Sequence, residues 1–442
     1  MVTVIDKLKK GKSTNSFFKA EHILNGSPKL VVHLHLLFNS FIQHGFVPTN
    51  LLKGTITPIV KNNEGDINTT DNYRGITLCG TYSHMFENAL RLKLSQYLTS
   101  DELQFGFKPK HGTSHAVFAL KSCVNYFTKR GSNVFVAFLD YSKAFDTISH
   151  YGLFLKLMDR NVPLGFLLVV MFWYLNMEYE CKWGSSYSER FPVLCGTKQG
   201  GILSPDFFAL YINDLIKILR ASGIGCHVLR KFIACILFAD DMSLAAPTRH
   251  CLQQLLDICA KYCQKFCLKF NVKKTKVITF GKLCSNTDSL AKLHVDNVPI
   301  DFVNSYRYLG FNIVSDVHFK FSSSECLRGF FGAVNSVLTV LKRPTENVLM
   351  QLLYSNCVPV LTYGAAVRDL TASEKHQHNV AVNNAVRRIF GFRHFQSIRQ
   401  LREFYHYDSV EVMFANARNR FITSISNHSN ELLRTLSTLV DD

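Results

Sequence analysis

None of the thirteen cysteines falls in a Cys-x-x-Cys pair, the spacing that structural zinc sites most often use. Their number is odd and no secretory signal is visible. A disulfide framework is therefore not expected, and an intracellular, reducing setting is. Cys259, Cys263 and Cys267 recur every four residues, which places them along one helical face as reduced core residues. Long hydrophobic runs are missing too. The apolar stretch Leu164 to Leu175 has only twelve residues, too few to span a bilayer, and reads as a buried helix. Repeats, long linkers and low-complexity tracts are absent. Acids are scarce, 33 Asp and Glu against 50 Lys and Arg, leaving a net charge of +17. That balance suits a polyanionic partner and salt-sensitive binding, although a ribosomal or membrane-surface protein would share it. With 442 residues, 47% of them hydrophobic, the chain can pack two or three subdomains.

Against that background, Phe238-Ala-Asp-Asp241 is conspicuous. An apolar run from Phe232 to Leu237 precedes it and another begins at Met242, the pattern of a β-hairpin with carboxylates at its tip. Adjacent like charges are costly unless a cation neutralises them, and oxygen ligands suit Mg²⁺ or Mn²⁺. Taken alone, the pair reads first as a solvated acidic turn, because acidic turns are common. A second strand run, Val134 to Leu139, delivers Asp140 at its end, and Tyr141 to Asp146 turns into what reads as a helix. Asp140 could then be a third metal ligand or simply a helix N-cap.

Further blocks follow in a fixed order. Leu139–His150, Gly196–Pro205 with Tyr211–Leu215, Phe238–Asp241, Leu268–Phe280 and Tyr308–Gly310 resemble the five palm motifs of non-LTR retrotransposon reverse transcriptases. Upstream, Pro58–Lys61, Asn72–Ile76 and Gln104–Phe107 resemble that family's fingers blocks, so the likeness covers roughly residues 35 to 320. The resemblance implies an α+β right-hand polymerase fold with fingers, an antiparallel-sheet palm and a helical thumb. It implies an RNA-directed DNA polymerase that adds deoxynucleotides to a primer 3′-hydroxyl with two Mg²⁺ ions, Mn²⁺ being an alternative. The implied partners are an RNA template, a DNA primer, the RNA–DNA hybrid and deoxynucleoside triphosphates, with no membrane.

By the same resemblance Asp140, Asp240 and Asp241 form the metal triad, and the Tyr141 carbonyl is a further candidate ligand. Phe145 occupies the place of the bulky side chain that excludes a 2′-hydroxyl. Asp146 is either a support for that site or a surface residue. Gln199 and Gly200 approach the template base or nucleotide, and Lys61 and Arg74 grip the triphosphate. Lys274 is the acid beside the pyrophosphate, and Tyr308, Leu309 and Gly310 are the primer grip. Three departures stand out: Gly201 where many relatives have a small residue such as Ser, Gly75 where Pro is common, and Ser13–Ser16 where Gly-x-Asp is usual.

The expected organisation is an N-terminal extension and fingers over 1–115, a palm with an inserted fingers portion over 116–322, and a helical thumb over 323–442. Leu30 to His44 has helical spacing closed by Gly45, and helical spacing returns from Cys326 onward. Neither a Cys/His knuckle nor a ribonuclease H carboxylate set is visible after Gly391. The chain thus reads as the polymerase portion of an element whose endonuclease lies elsewhere, working in an intracellular ribonucleoprotein. Phe145 argues against an RNA-templated RNA polymerase, and the lack of a maturase or HNH tail argues against an intron-type enzyme. A retroelement relic that only binds RNA or DNA is the non-enzymatic alternative.

Overall fold

The protein's structure, a computed structural model, describes residues 1–14, 17–285, 290–341 and 344–439; Asn15 and Ser16 of the divergent N-terminal block fall outside them. The fold is mixed α and β. It divides into two compact units, Met1–Pro109 with Asp140–Ser222 and Asp257–Asn271, and Lys110–Leu139 with Gly223–Leu256 and Val272–Asp442.

In the first unit, the strand Lys53–Val60 pairs antiparallel with Tyr73–Cys79 and parallel with Glu178–Trp183. Helices cover this sheet's surroundings with aromatic residues. Phe38 and Phe41 from Pro28–His44 pack on Phe86 from Thr81–Leu94, which stacks on Trp173 at 5.4 Å between centroids. The helix Pro28–His44 ends where Gly45 takes a left-handed φ of 62°, a conformation that costs glycine nothing. Leu164–Leu175 is a helix as expected; Leu167, Val170 and Trp173 are buried, whereas Leu164, Leu168 and Leu175 are exposed.

The second unit is built on a six-stranded sheet in the order Leu293–Val295, Val298–Phe302, Lys276–Phe280, Val134–Leu139, Asp241–Ala246, Cys235–Phe238. Every residue of Val134–Leu139 is buried. A strand covered on both faces needs apolar side chains at each position rather than at alternate ones, hence the unbroken Val-Phe-Val-Ala-Phe-Leu. The helix Thr113–Thr128 packs on it. All pairings are antiparallel except Lys276–Phe280 with Val298–Phe302. Beyond the sheet, the helices Ser324–Val340, Ala372–Phe390 and Val410–Ser426 share a core that includes Phe330, Leu361, Val382 and Phe414. Among the described residues, no helix is long and apolar enough to cross a membrane.

The cysteine expectation needs one correction. Cys259 and Cys263 are buried on the helix Arg249–Lys265, but Cys267 lies past its end at a φ of 56° and is exposed. The four-residue spacing outlasts the helix that would give it meaning.

His115, on Thr113–Thr128, sits 5.3 Å from the His428 ring and 6.1 Å from the His111 ring. Burial, reinforced by His428 and His111, pushes its pKa down to about 4. In the unfolded chain an imidazole titrates near 6.5. Between those values the unfolded state binds more protons, so stability falls as pH drops from about 6.5 to about 4. Acid titration of the thermal midpoint should show this limb, and it should be shallower in His115→Phe. A limb unaltered by the substitution would place its origin elsewhere.

Candidate active site

Cys235–Phe238 and Asp241–Ala246 pair with Asp241 opposite Phe238, leaving Ala239 and Asp240 as a two-residue turn. Ala239 has a φ of 59°, a value favoured in glycine and strained by about 1–2 kcal/mol in alanine. Asp240 sits at the tip of this turn and Asp241 opens the returning strand, both half-buried. On the neighbouring strand, Leu139 pairs with Met242. Asp140 is the residue after Leu139, and Asp241 is the residue before Met242. On the other side Phe138 pairs with Lys276, two residues after the exposed Lys274. Among the described residues no three His, Cys, Asp or Glu side chains converge into a group able to hold a metal ion.

The strands Ser305–Tyr308 and Phe311–Val314 form a second hairpin, with Tyr308 opposite Phe311. Leu309 and Gly310, at φ 49° and 82°, supply the two left-handed residues of a type I′ turn. This hairpin rests on the central strand, where the Phe138 ring lies 4.7 Å from Tyr306 and 4.9 Å from Tyr308. Burial drives the Tyr308 phenol far above its ordinary pKa, and the charge of Asp241 adds to the shift. Tyr308–Gly310, expected from the sequence as the primer grip, and the acidic hairpin are therefore neighbours within one unit.

A residue that sequence reading passed over fixes the turn. Tyr363 Oη donates to the Leu309 carbonyl at 2.9 Å and lies 3.0 Å from Thr113 Oγ1. The Tyr363 ring fills the space beside Gly310, where an added Cβ would come within 3.1 Å of it. The one available signal was Tyr363-Gly364 interrupting an otherwise helical stretch. Tyr363→Phe keeps the ring and removes one hydrogen bond, a change of about 1 kcal/mol. With Tyr308–Gly310 as the primer grip, primer extension should slow roughly fivefold with hybrid affinity unchanged; equal loss of both would mean that the turn is not what the hydroxyl controls.

In the other unit, Arg74 is exposed on the strand Tyr73–Cys79 and Lys61 is exposed just past the end of Lys53–Val60, where its Nζ donates to the Asp71 carbonyl at 2.8 Å. Tyr141 is buried against Phe270 at 4.7 Å, and the Asp140 carbonyl accepts from Asn271 N at 2.7 Å. The helix expected after Asp140 is not there: residues 141–147 form turns and a bridge, and the helix His150–Asp159 starts behind the Ser149 cap. The Asp140 N-cap reading falls with it. Distant partners explain the difference. Phe145 O accepts from Thr197 N at 2.7 Å, Ile148 O from Gly196 N at 2.8 Å, and Ser142 N donates to Lys269 O at 2.8 Å.

Phe145 is half-buried, its ring 4.9 Å from Phe208 and 6.2 Å from Phe107. Gln199 Nε2 donates to Asp146 Oδ1 at 2.8 Å, giving Asp146 a defined structural partner. Gln199 O accepts from Thr77 N at 2.8 Å. Gly200 has a φ of 105°, and an added Cβ would stand 3.4 Å from the Thr77 carbonyl. Lys61, Arg74, Asp140, Tyr141, Phe145, Gln199 and Gly200 thus belong to the first unit, and Asp240, Asp241, Lys274, Tyr308, Leu309 and Gly310 to the second.

Residues 59–313 match the family described as reverse transcriptase (RNA-dependent DNA polymerase), and the chain belongs to that family. Its particular kin are the non-LTR retrotransposon enzymes. It is similar to the RNA-directed DNA polymerase from mobile element jockey of Drosophila melanogaster, 24% identical over 92% of this chain and 45% of that protein. It is also similar to the Pol polyprotein from the type-1 retrotransposable element R2 of Popillia japonica, 25% identical over 82% of this chain and 50% of that one. The chain spans about half the length of the curated relatives it matches. A telomerase from Candida tropicalis superposes with a TM-score of 0.49 at 12% identity, over 92% of this chain and 74% of that one, too loosely to carry any inference.

Proposed function

We propose that this chain is an RNA-directed DNA polymerase that extends a DNA primer on an RNA template. The observation that carries it is the strand register: Leu139, which leads into Asp140, pairs with Met242, which follows Asp241. In this reading residues 1–115 and the Lys53–Val60 sheet belong to fingers, the six-stranded sheet to the palm, and the helices after residue 323 to the thumb.

Asp240 and Asp241, adjacent at the strained Ala239 turn, offer oxygen donors of the kind that hard divalent ions such as Mg²⁺ or Mn²⁺ take; by the family resemblance Asp140 would complete the set, and in the structure the described side chains do not converge into such a group. When bound, such ions supply activation of the primer hydroxyl and charge neutralisation at the phosphates. The protein's own groups do the rest. Arg74 and Lys61 bind the triphosphate, Phe145 presses on the sugar, and Gln199 with Gly200 meets the templating base pair. Lys274 hands a proton to the departing pyrophosphate, while Tyr308–Gly310 sets the primer end. The net charge of +17 supports salt-sensitive retention of the hybrid through its backbone. A separate endonuclease would supply nicked DNA within an intracellular ribonucleoprotein.

The test is primer extension on an oligo(dT)-primed poly(A) template with Mg²⁺. Extension with dTTP and not UTP is expected. Tight hybrid binding without extension would instead favour a non-catalytic RNA- or DNA-binding protein.

A further inference from the structure

The helix Thr81–Leu94 carries Glu87 into the interior of the first unit. There its side chain, 7% exposed, meets that of Lys198, 1% exposed, with Nζ 2.6 Å from Oε1. Nζ also stands 4.0 Å from the centre of the Trp173 ring. Burying two ions costs several kcal/mol each before their attraction is counted, and apolar residues of the same size stabilise a core about as well. Stability alone therefore gives no reason for this pair.

The second oxygen of Glu87 supplies one. Oε2 accepts from Ile202 N at 2.9 Å, so one carboxylate holds both ends of the stretch 198–202. Between those ends lie Gln199, Gly200 and Gly201. Gly201 N donates to Lys198 O at 3.0 Å, closing a tight loop at whose crest Gly200 takes its φ of 105°. Without an anchor, two consecutive glycines leave such a loop with many conformations. A charged carboxylate in a low-dielectric interior is a stiff anchor, because its hydrogen bonds cannot be exchanged for water. The loop borders a cavity of about 830 Å³ lined also by Thr77, Phe107 and Arg91.

We propose that Glu87 and Lys198 are positioning residues: a buried ionic latch that fixes the Gln199–Gly201 loop where the incoming nucleotide pairs with its template. This rests on the polymerase reading given above. The latch acts through loop geometry, so it controls nucleotide affinity and base-pair discrimination more than the chemical step.

The test is the double variant Glu87→Gln with Lys198→Met in the full chain. Both charges go together, leaving no unpaired buried ion, and the Gln amide oxygen can still accept from Ile202 N. The melting temperature should stay near that of the unaltered protein. In single-nucleotide extension with Mg²⁺ on a mixed-sequence RNA template, KM for the correct deoxynucleotide should rise about tenfold and mismatch discrimination should fall by a similar factor. The rate at saturation should change little. Unchanged KM and discrimination in the folded double variant would overturn the latch. Lack of extension by the unaltered protein would instead count against the polymerase reading. Amide exchange over 198–202 decides the latch separately: faster exchange in the double variant supports it, and identical exchange rejects it.

Discussion

Asp240→Asn should abolish deoxynucleotide addition while leaving hybrid binding nearly intact. Asp240 occupies the second position of the Ala239–Asp240 turn, a place that asparagine accepts as readily as aspartate, so the hairpin should persist. What disappears is one negative charge from the proposed metal-binding carboxylates. Loss of a metal-binding carboxylate removes several kcal/mol of transition-state stabilisation, on the order of a thousandfold or more in rate. In the proposed reading, binding relies on a net charge of +17, which the change makes slightly more positive. Gel-shift titration at two salt concentrations, run beside primer extension, separates the two effects. A variant that loses binding and synthesis together has misfolded; one that keeps synthesising removes Asp240 from the metal set.

If Phe145 is the sugar gate, Phe145→Ala should open the proposed polymerase to ribonucleotides. The ring is held by Phe208 and Phe107, and its backbone carbonyl is tied to Thr197 N. It therefore cannot swing aside to accommodate a 2′-hydroxyl. Steric discrimination by a single pocket contact is worth roughly 10- to 200-fold, and selection for dTTP over UTP should weaken by that factor. The same loss in both substrates would mean that the residue supports the fold alone. Retained selection would move the gate to another side chain.

The features legible in the sequence are those whose partners are near in the chain or whose pattern is dictated by burial. The Asp-Asp hairpin, the apolar strand before Asp140 and the helix closed by Gly45 all follow from short-range periodicity and turn chemistry. The block order led to the family, and the antiparallel sheet emerged with one parallel pairing added. What escaped notice depends on long-range contacts. Residues 141–148 have the composition of a helix start, yet their backbone groups bond to Thr197, Gly196 and Lys269. Glu87 and Lys198 are 111 residues apart, Tyr363 and Leu309 54 apart, and no local signal joins either pair. Asp146 was ambiguous for the same reason, because Gln199 is its partner.

The central position of Val134–Leu139 has a consequence during synthesis. Its two sheet partners, Asp241–Ala246 and Lys276–Phe280, emerge from the ribosome more than a hundred residues later. At 5–20 residues per second, this wholly apolar strand waits roughly 5–20 s with both edges unpaired. Such a segment is prone to pair with copies of itself. Soluble yield should therefore depend on whatever shelters that strand until the acidic hairpin arrives to cover it.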